Sequence, residues 1–326
     1  MTKKPAPLSL DLDNKWSYLK THGDDSWQSF PSYLETIVPR ALETLAERNW
    51  RITWFLVGKD AEDAAHHDLL RSIADAGHEV GNHSHMHEPW LHQYSRAELV
   101  ADLGRSHDAI EKATGVTPVG FRGPGFSLSE TTLDVLQSLG YQYDATTFPN
   151  ILNPVGRFYY LRTSNLSDEE KERRKALFGT TKDAFRSNRP YRWALGDGNT
   201  MPEVPVTTMP LFRVPIHFSY IIWLAGKSRF LAKTYWRMAL LMCKVSGTVP
   251  SLLLHPLDFL GSDDEPELGF FPGMDIEAAK KAEIMRELLD MWDKRYATMP
   301  IGDYVGQLGR LKTRVPDLMK ADQAAD

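Results

Sequence analysis

Hydrophobic and polar positions in the first half of the chain alternate between two periods. Residues 7–13, PLSLDLD, put Leu8, Leu10 and Leu12 at every second position, which predicts a strand ending in carboxylates. Residues 33–49 space Leu34, Ile37, Leu42 and Leu45 for a helix, with Pro39 marking an early turn or a kink. Residues 50–58, WRITWFLVG, are β-branched and aromatic and end in Gly58, a second strand. A helix over 63–77 closes on Gly77, and a short third strand covers 78–84. Ser95 and Glu98 form a capping box that opens a helix over 95–115, with Gly115 past its end. Residues 118–125 read as strand then loop, 129–140 as helix and 141–149 as strand.

Regular alternation of strand and helix implies an α/β protein with a parallel sheet and helices packed outside it. In such folds the chemistry sits at the carboxyl ends of the strands. The unusual polar clusters all fall at such ends: Asp11 and Asp13, His83 to His87, Arg122, Asp144 and, later, His255. The rhythm breaks over about 150–202, where the charged, partly helical 166–193 reads as a helical insertion. It returns with 203–216, a helix over 228–245, a strand within 249–259, a helix over 276–297 and the segment 298–308. These elements predict one catalytic domain over 1–319 carrying the insertion, followed by a frayed tail, 320–326.

Bulk properties narrow the function classes. The chain has 326 residues, 42% hydrophobic and 25% charged, an ordinary globular balance that one barrel-sized domain can accommodate. A net charge of -5 gives no whole-chain argument for nucleic acid, so no nucleic-acid partner is expected. Cys243 is the single cysteine, which excludes an intramolecular disulfide and a cysteine metal cluster. The first residues, MTKKPAPLSLDLD, lack the apolar core of a secretory signal, and the apolar 216–225 is half the roughly 20 residues that span a bilayer. The expected location is the cytoplasm.

His83 and His87 are four apart, which on a helical turn puts both imidazoles on one face. Two imidazoles and one carboxylate are a standard three-ligand zinc set with a position left for water. Asp11 and Asp13 share a strand face, so both can reach one site, one as ligand and one as base, while His85 should point away. Taken alone, a His-x3-His pair is more often a structural feature, and Asp-x-Asp a solvated turn. Their joint placement at neighbouring strand ends favours a metal site. By the same test, Arg122 alone could be a surface ion pair, Asp144 a cap and His255 a packed core histidine. His22, His66, His67, His78, His107 and His217 are expected to be structural or exposed.

These segments resemble the motifs of the polysaccharide deacetylase superfamily, carbohydrate esterase family 4. SLDLD resembles the first motif in the Asp-x-Asp form of the peptidoglycan-deacetylase-like and allantoinase-like branch. NHSHMH resembles the second, GFRGPGFS the third, YDATTFP the fourth and LLLHP the fifth. The resemblance covers roughly 7–149 and 203–308 and implies a distorted (β/α) barrel of about seven strands. It implies that Asp13, His83 and His87 hold a divalent metal, zinc first, and that Asp11 is the general base that activates water. It further implies that His255 is the general acid, that Arg122 orients Asp11 and that Asp144 supports His255. Gly125 stands where many members carry an aromatic residue, and Phe148 where many carry Trp, which leaves the shape of the acyl pocket open.

The function so implied is metal-dependent removal of an N-acyl group, acetyl by default and formyl as the other choice, from an amino sugar. A lipid-linked sugar at the inner membrane face suits residues 210–242, which mix aromatics with Arg213, Lys227, Arg229, Lys233 and Arg237, and the basic KERRK at 171–175. The same residues read equally as a core strand with its packing helix and a solvated helix face. The alternatives are an amidohydrolase acting on a small cyclic amide or ureide, and a non-catalytic binding module on the same scaffold. Peripheral membrane contact is expected on the first reading, and the oligomeric state is open.

Overall fold

The computed structural model describes residues 3–153, 166 and 183–318. The first half runs β1 (Lys4–Leu12), α1 (Lys15–His22), α2 (Leu34–Ala46), β2 (Thr53–Leu56), α3 (Gly58–Glu62), α4 (His67–Asp75) and β3 (Glu79–Asn82). It continues with α5 (Arg96–Thr114), β4 (Gly120–Phe121), α6 (Glu130–Ser138) and β5 (Tyr143–Asp144). The second half has the hairpin β6 (Tyr191–Ala194) and β7 (Thr200–Glu203), then α7 (Phe218–Lys227), α8 (Arg229–Ser246) and β8 (Leu252–Leu254). The last elements are α9 (Ala278–Asp293), β9 (Tyr296–Met299), α10 (Ile301–Gly306) and β10 (Thr313–Arg314).

The sheet order is β10-β6-β7-β5-β4-β3-β2-β1-β8, with β9 also on β1. From β7 to β8 each described neighbour pair is parallel; β6 runs antiparallel to β7, and β10 runs parallel to β6. That run is the α/β sheet the sequence implies. The barrel expected from the family resemblance is not closed: among the described residues β8 and β10 are edges, with no ladder between them. Parallel strands put the ends of β1, β3, β4, β5 and β8 on one side, so Asp13, His83, Arg122, Asp144 and His255 rise from neighbouring strand ends.

The helices cover the sheet through their apolar stripes. In α2, Leu34, Ile37, Val38, Ala41 and Leu45 are buried, and Pro39 is accommodated inside the helix near its start. Ser95 caps α5 with the reciprocal bonds of a capping box, and Gly115 ends the helix in the left-handed region at φ 77°. The principal core joins Leu8, Leu10 and Leu12 of β1 to Trp54, Trp236 and Trp292, all nearly inaccessible to solvent.

Several elements depart from the sequence reading. Residues 203–216 form no regular strand: β7 stops at Glu203, and the rest is loop with one bridge, Thr208 to Pro215. Pro205, Pro210 and Pro215 supply no N–H to a ladder. The apolar 216–225 is not a barrel strand but the start of α7, whose Phe218, Ile221, Ile222 and Ala225 are buried at helical spacing. Sheet pairing resumes earlier than expected, in β6 and β7. Most of the charged 166–193, including KERRK at 171–175, and the tail 320–326 lie outside the described residues.

Candidate active site

β1 delivers Asp11 while still in ladder register with Phe55 of β2, and Asp13 follows one residue past the strand. Asn14 then caps α1, accepting from the Lys15 backbone N–H at 2.8 Å. Asp13 is therefore held between a strand end and a helix start. His83 follows β3 directly. The turn that brings His87 beside it is not the helical turn expected: Ser84 and His87 adopt left-handed backbones, with φ 62° and 50°. The Ser84 and His85 carbonyls accept from the backbone N–H groups of Gly58 and Lys59, each at 2.9 Å, which anchors this bent loop to α3. Lys20 of α1 donates to the Met86 carbonyl at 3.1 Å and pairs with Glu88.

The two imidazoles converge on one oxygen. His83 Nε2 lies 3.2 Å and His87 Nε2 3.0 Å from Asp13 Oδ1. Neither meets that oxygen at hydrogen-bond geometry, although it is buried. His83 Nδ1–H donates to the Arg122 carbonyl at 2.6 Å, which fixes the tautomer and leaves the Nε2 lone pair facing Asp13. The three potential ligand atoms lie within 4.8 Å of one another. Two imidazole nitrogens and a carboxylate oxygen so close together fit a divalent cation with an open coordination position. His85, as expected, leaves this cluster, its Nε2 lying 3.7 Å from Glu62.

Charge–charge attraction organises the same atoms. Burial pushes the Asp13 carboxyl up, but His87 and His83 together hold it well below the usual carboxylate range. Burial lowers His83, while Asp11, Asp13 and the Arg122 carbonyl raise it above the ordinary imidazole value. Asp11 is bound from behind. Arg122 Nη1 donates to Asp11 Oδ1 and to Ser9 Oγ, each at 2.7 Å, and its Nε donates to the Ala145 carbonyl at 2.8 Å. Arg122 is fully buried and lies over the Phe55 ring, its guanidinium carbon 4.5 Å from the centroid. After Arg122 the chain passes Gly123, where a Cβ would come within 2.0 Å of the Ser127 carbonyl oxygen, so no larger residue fits.

β8 delivers His255, whose Nε2 is 3.9 Å from Asp11 Oδ2 and 3.9 Å from Asp13 Oδ2. Five of the residues singled out thus face one another with His255: Asp11, Asp13, His83, His87 and Arg122. Asp144 has its own set of partners. It is fully buried and accepts from Thr146 Oγ1 at 2.5 Å, with Glu203 as its neighbouring carboxylate. Burial and the Glu203 carboxylate push it well above the carboxylate range. The carboxylate beside His255 is Asp258, which accepts the His255 backbone N–H at 2.8 Å. Asp144 ends β5 in the core, where Glu203 of the adjacent β7 meets it in register.

Two contributors were not singled out from the sequence. Asp258 stands three residues after His255, a capping-like spacing that could have flagged it. His217, expected to be structural or exposed, stacks on His255 with ring centroids 4.7 Å apart and planes 24° apart. Burial, then the positive charges of His255 and Arg122, push His217 well below the ordinary imidazole range. No local signal in the sequence marks it, because α7, α8 and β8 separate it from its partner.

The surface over α7 and α8 also differs from the cationic strip expected. Lys227 pairs with Asp275 at 2.8 Å, Arg229 with Glu283 at 2.7 Å and Lys233 with Glu287 at 3.3 Å. Carboxylates on and before α9 therefore neutralise much of the strip. Leu211, Phe212, Phe230 and Leu231 are nonetheless exposed. No helix among the described residues is long and apolar enough to cross a membrane.

The site is thus an open α/β sheet carrying a His–His–Asp cluster and a buried Arg–Asp pair at its strand ends. Residues 20–143 match the polysaccharide deacetylase family. The chain is 29% identical to the peptidoglycan deacetylase of Helicobacter pylori over 199 residues, 58% of this chain and 65% of that protein. It is 28% identical to a Bacillus cereus peptidoglycan-N-acetylglucosamine deacetylase over 95 residues, 29% of this chain and 34% of the other. It thus spans less than two thirds of the length of these relatives. A Mycobacterium smegmatis crystal structure provisionally titled a polysaccharide deacetylase shares the fold, with a TM-score of 0.57 at 21% identity, over 97% of this chain and 100% of that one. Over residues 20–143 the chain is thus similar to the polysaccharide deacetylase superfamily, carbohydrate esterase family 4.

Proposed function

We propose that this chain is a metal-dependent N-deacylase that removes an acetyl group from an N-acetylated amino sugar, of the N-acetylglucosamine type named for its Bacillus relative. The observation that carries the reading is the convergence of Asp13, His83 and His87 within 4.8 Å beside the Arg122-bound Asp11. Asp13, His83 and His87 would hold the ion, zinc first. A divalent ion bound there supplies a lowered pKa for water, about 7 for zinc, and polarises the acyl carbonyl.

This chain's own residues do the rest. Asp11, pinned by Arg122, accepts a proton from the attacking water. Arg122 keeps one carboxylate oxygen engaged, so the other faces the site and the catalytic lone pair has a fixed direction. Water oxygen bonds to the acyl carbon, the C–N bond breaks, and His255 delivers a proton to the departing amine. An amine is a poor leaving group unless protonated, so each proton transfer is worth about 10²- to 10⁴-fold. The products are acetate and the free amino sugar.

The test is mass-spectrometric detection of acetyl loss from N-acetylated chitooligosaccharides, with metal content measured on the same preparation. Turnover that a chelator abolishes and zinc restores supports the reading; turnover indifferent to chelation sinks it. The exposed Leu211, Phe212, Phe230 and Leu231 favour presentation of the sugar at a lipid surface. Failure to float with anionic liposomes removes that finer part and leaves the deacylase reading standing.

A further inference from the structure

His255 reaches the site on a well-fixed backbone. Its N–H donates to Asp258 Oδ2 at 2.8 Å, and the Asp258 N–H returns to the His255 carbonyl at 3.0 Å. Lys281 of α9 donates to the Leu257 and Leu260 carbonyls at 2.8 and 2.6 Å, which ties the following turn to the core. The ring has no such anchor. His255 Nδ1 is buried with no hydrogen-bond partner, and Nε2 stands 3.9 Å from both carboxylates, beyond hydrogen-bond reach. A histidine that moves protons usually has its plane set by a hydrogen bond to its second nitrogen. Here that bond is missing among the described residues.

What the His255 ring does touch is the flat face of His217, 4.7 Å away and nearly parallel. His217 is itself held firmly. It stands at the N-terminal boundary of α7, and its carbonyl accepts from the Tyr220 backbone N–H at 3.2 Å. Phe218, Ile221 and Ile222 anchor that helix in the core. Upstream, the Tyr235 hydroxyl of α8 donates to the Pro215 carbonyl. Phe148 and Tyr220 flank the His217 ring at centroid distances of 6.2 and 5.3 Å.

We infer that His217 is a positioning residue for His255: its ring is the wall that holds the His255 imidazole with Nε2 toward Asp11 and Asp13. The inference rests on the deacylase reading and adds to it a residue outside the family motifs. Stacking takes over the orienting role that a hydrogen bond has elsewhere, and any aromatic ring of similar size performs it. The polar atoms of His217 are not needed, and its Nδ1 is buried without a partner.

The experiment is steady-state kinetics on N-acetylated chitooligosaccharides with metal-loaded wild type, His217→Ala, His217→Phe, His255→Ala and the double His217→Ala/His255→Ala variant. His217→Ala is expected to lower kcat by about 10- to 100-fold, the scale of a misplaced catalytic group, with KM and metal content held. His217→Phe restores most of that loss. The double variant is no slower than His255→Ala, because a residue acting through another loses its effect when the other is gone. Unchanged kcat in His217→Ala overturns the inference, as does a further loss in the double variant. A His217→Phe variant as slow as His217→Ala, with raised KM in both, makes His217 a substrate contact instead and also overturns it. If His217→Ala does not fold, His217→Phe against His217→Gln carries the comparison, with the aromatic variant expected to be the faster. A wild type without turnover sinks the deacylase reading and this inference with it; a turning-over wild type with unaffected variants sinks the inference alone.

Discussion

Arg122 and Asp11 form a buried ion pair at 2.7 Å, with the arginine fully inaccessible to solvent. The guanidinium also spans Ser9 and the Ala145 carbonyl, so one side chain ties β1, β4 and the end of β5 together. Removing one partner of a buried pair leaves an uncompensated charge, at a cost of about 3–5 kcal/mol. Arg122→Ala should therefore lower the thermal midpoint by several degrees as well as remove turnover. Arg122→Lys should also fail, since a single ammonium cannot reproduce the fork. Thermal melts of Arg122→Ala indistinguishable from wild type would contradict the structural half of this expectation.

Asp11 and Asp13 sit two residues apart and should separate cleanly by experiment. Asp11→Asn is expected to keep a full complement of metal and lose at least about 10²-fold in turnover. Asp13→Ala and His83→Ala should lose the metal and the turnover together. His85→Ala should retain the metal, because His85 is turned to Glu62. Metal content by plasma mass spectrometry distinguishes the three outcomes, and retention of metal by Asp13→Ala would refute the ligand set.

Asp144, which motif matching suggests as the support of His255, and Asp258, which it passes over, are separable by experiment. Asp258 fixes the His255 backbone, whereas Asp144 lies beside the Glu203 carboxylate in the core. Asp258→Asn should slow turnover more than Asp144→Asn does. The Asp144 carboxyl binds its proton more tightly folded than unfolded, because burial and Glu203 raise it. Its contribution to stability is thus present at low pH and lost as pH rises through the raised folded value. Asp144→Asn should flatten that loss, so the variant gains on wild type as melts move upward in pH from the ordinary carboxylate range. A constant offset between the two curves would show that the site does not titrate in this way.

Lys281 gives a pH effect of opposite sign. It is 1% exposed, and burial pulls its ammonium from 10.5 down to about 8. Between those values the unfolded chain holds the proton and the folded chain does not. Stability should therefore rise with pH across that window, by at most about 1.4 kcal/mol per pH unit. Lys281→Met lacks this rise. Denaturant unfolding of both proteins at pH values on either side of the window measures it, and parallel profiles would refute it.

Much of this protein was written in its local sequence. Alternating Leu8, Leu10 and Leu12, the Ser95–Glu98 capping box and the glycine stops fixed the βα order. That order by itself put Asp11, Asp13, His83, Arg122 and His255 at strand ends. Periods and caps are properties of neighbours in the chain, so they survive without the fold. Tertiary packing decided the rest. Prolines turned 203–216 into loop, and left-handed residues at Ser84 and His87, rather than a helical turn, set the histidine geometry. The pairing of Asp144 with Glu203, and the stacking of His217 on His255, join residues from different strands and helices. Such contacts depend on which elements become neighbours and which charges are buried together. No repeat or spacing along a single chain encodes them.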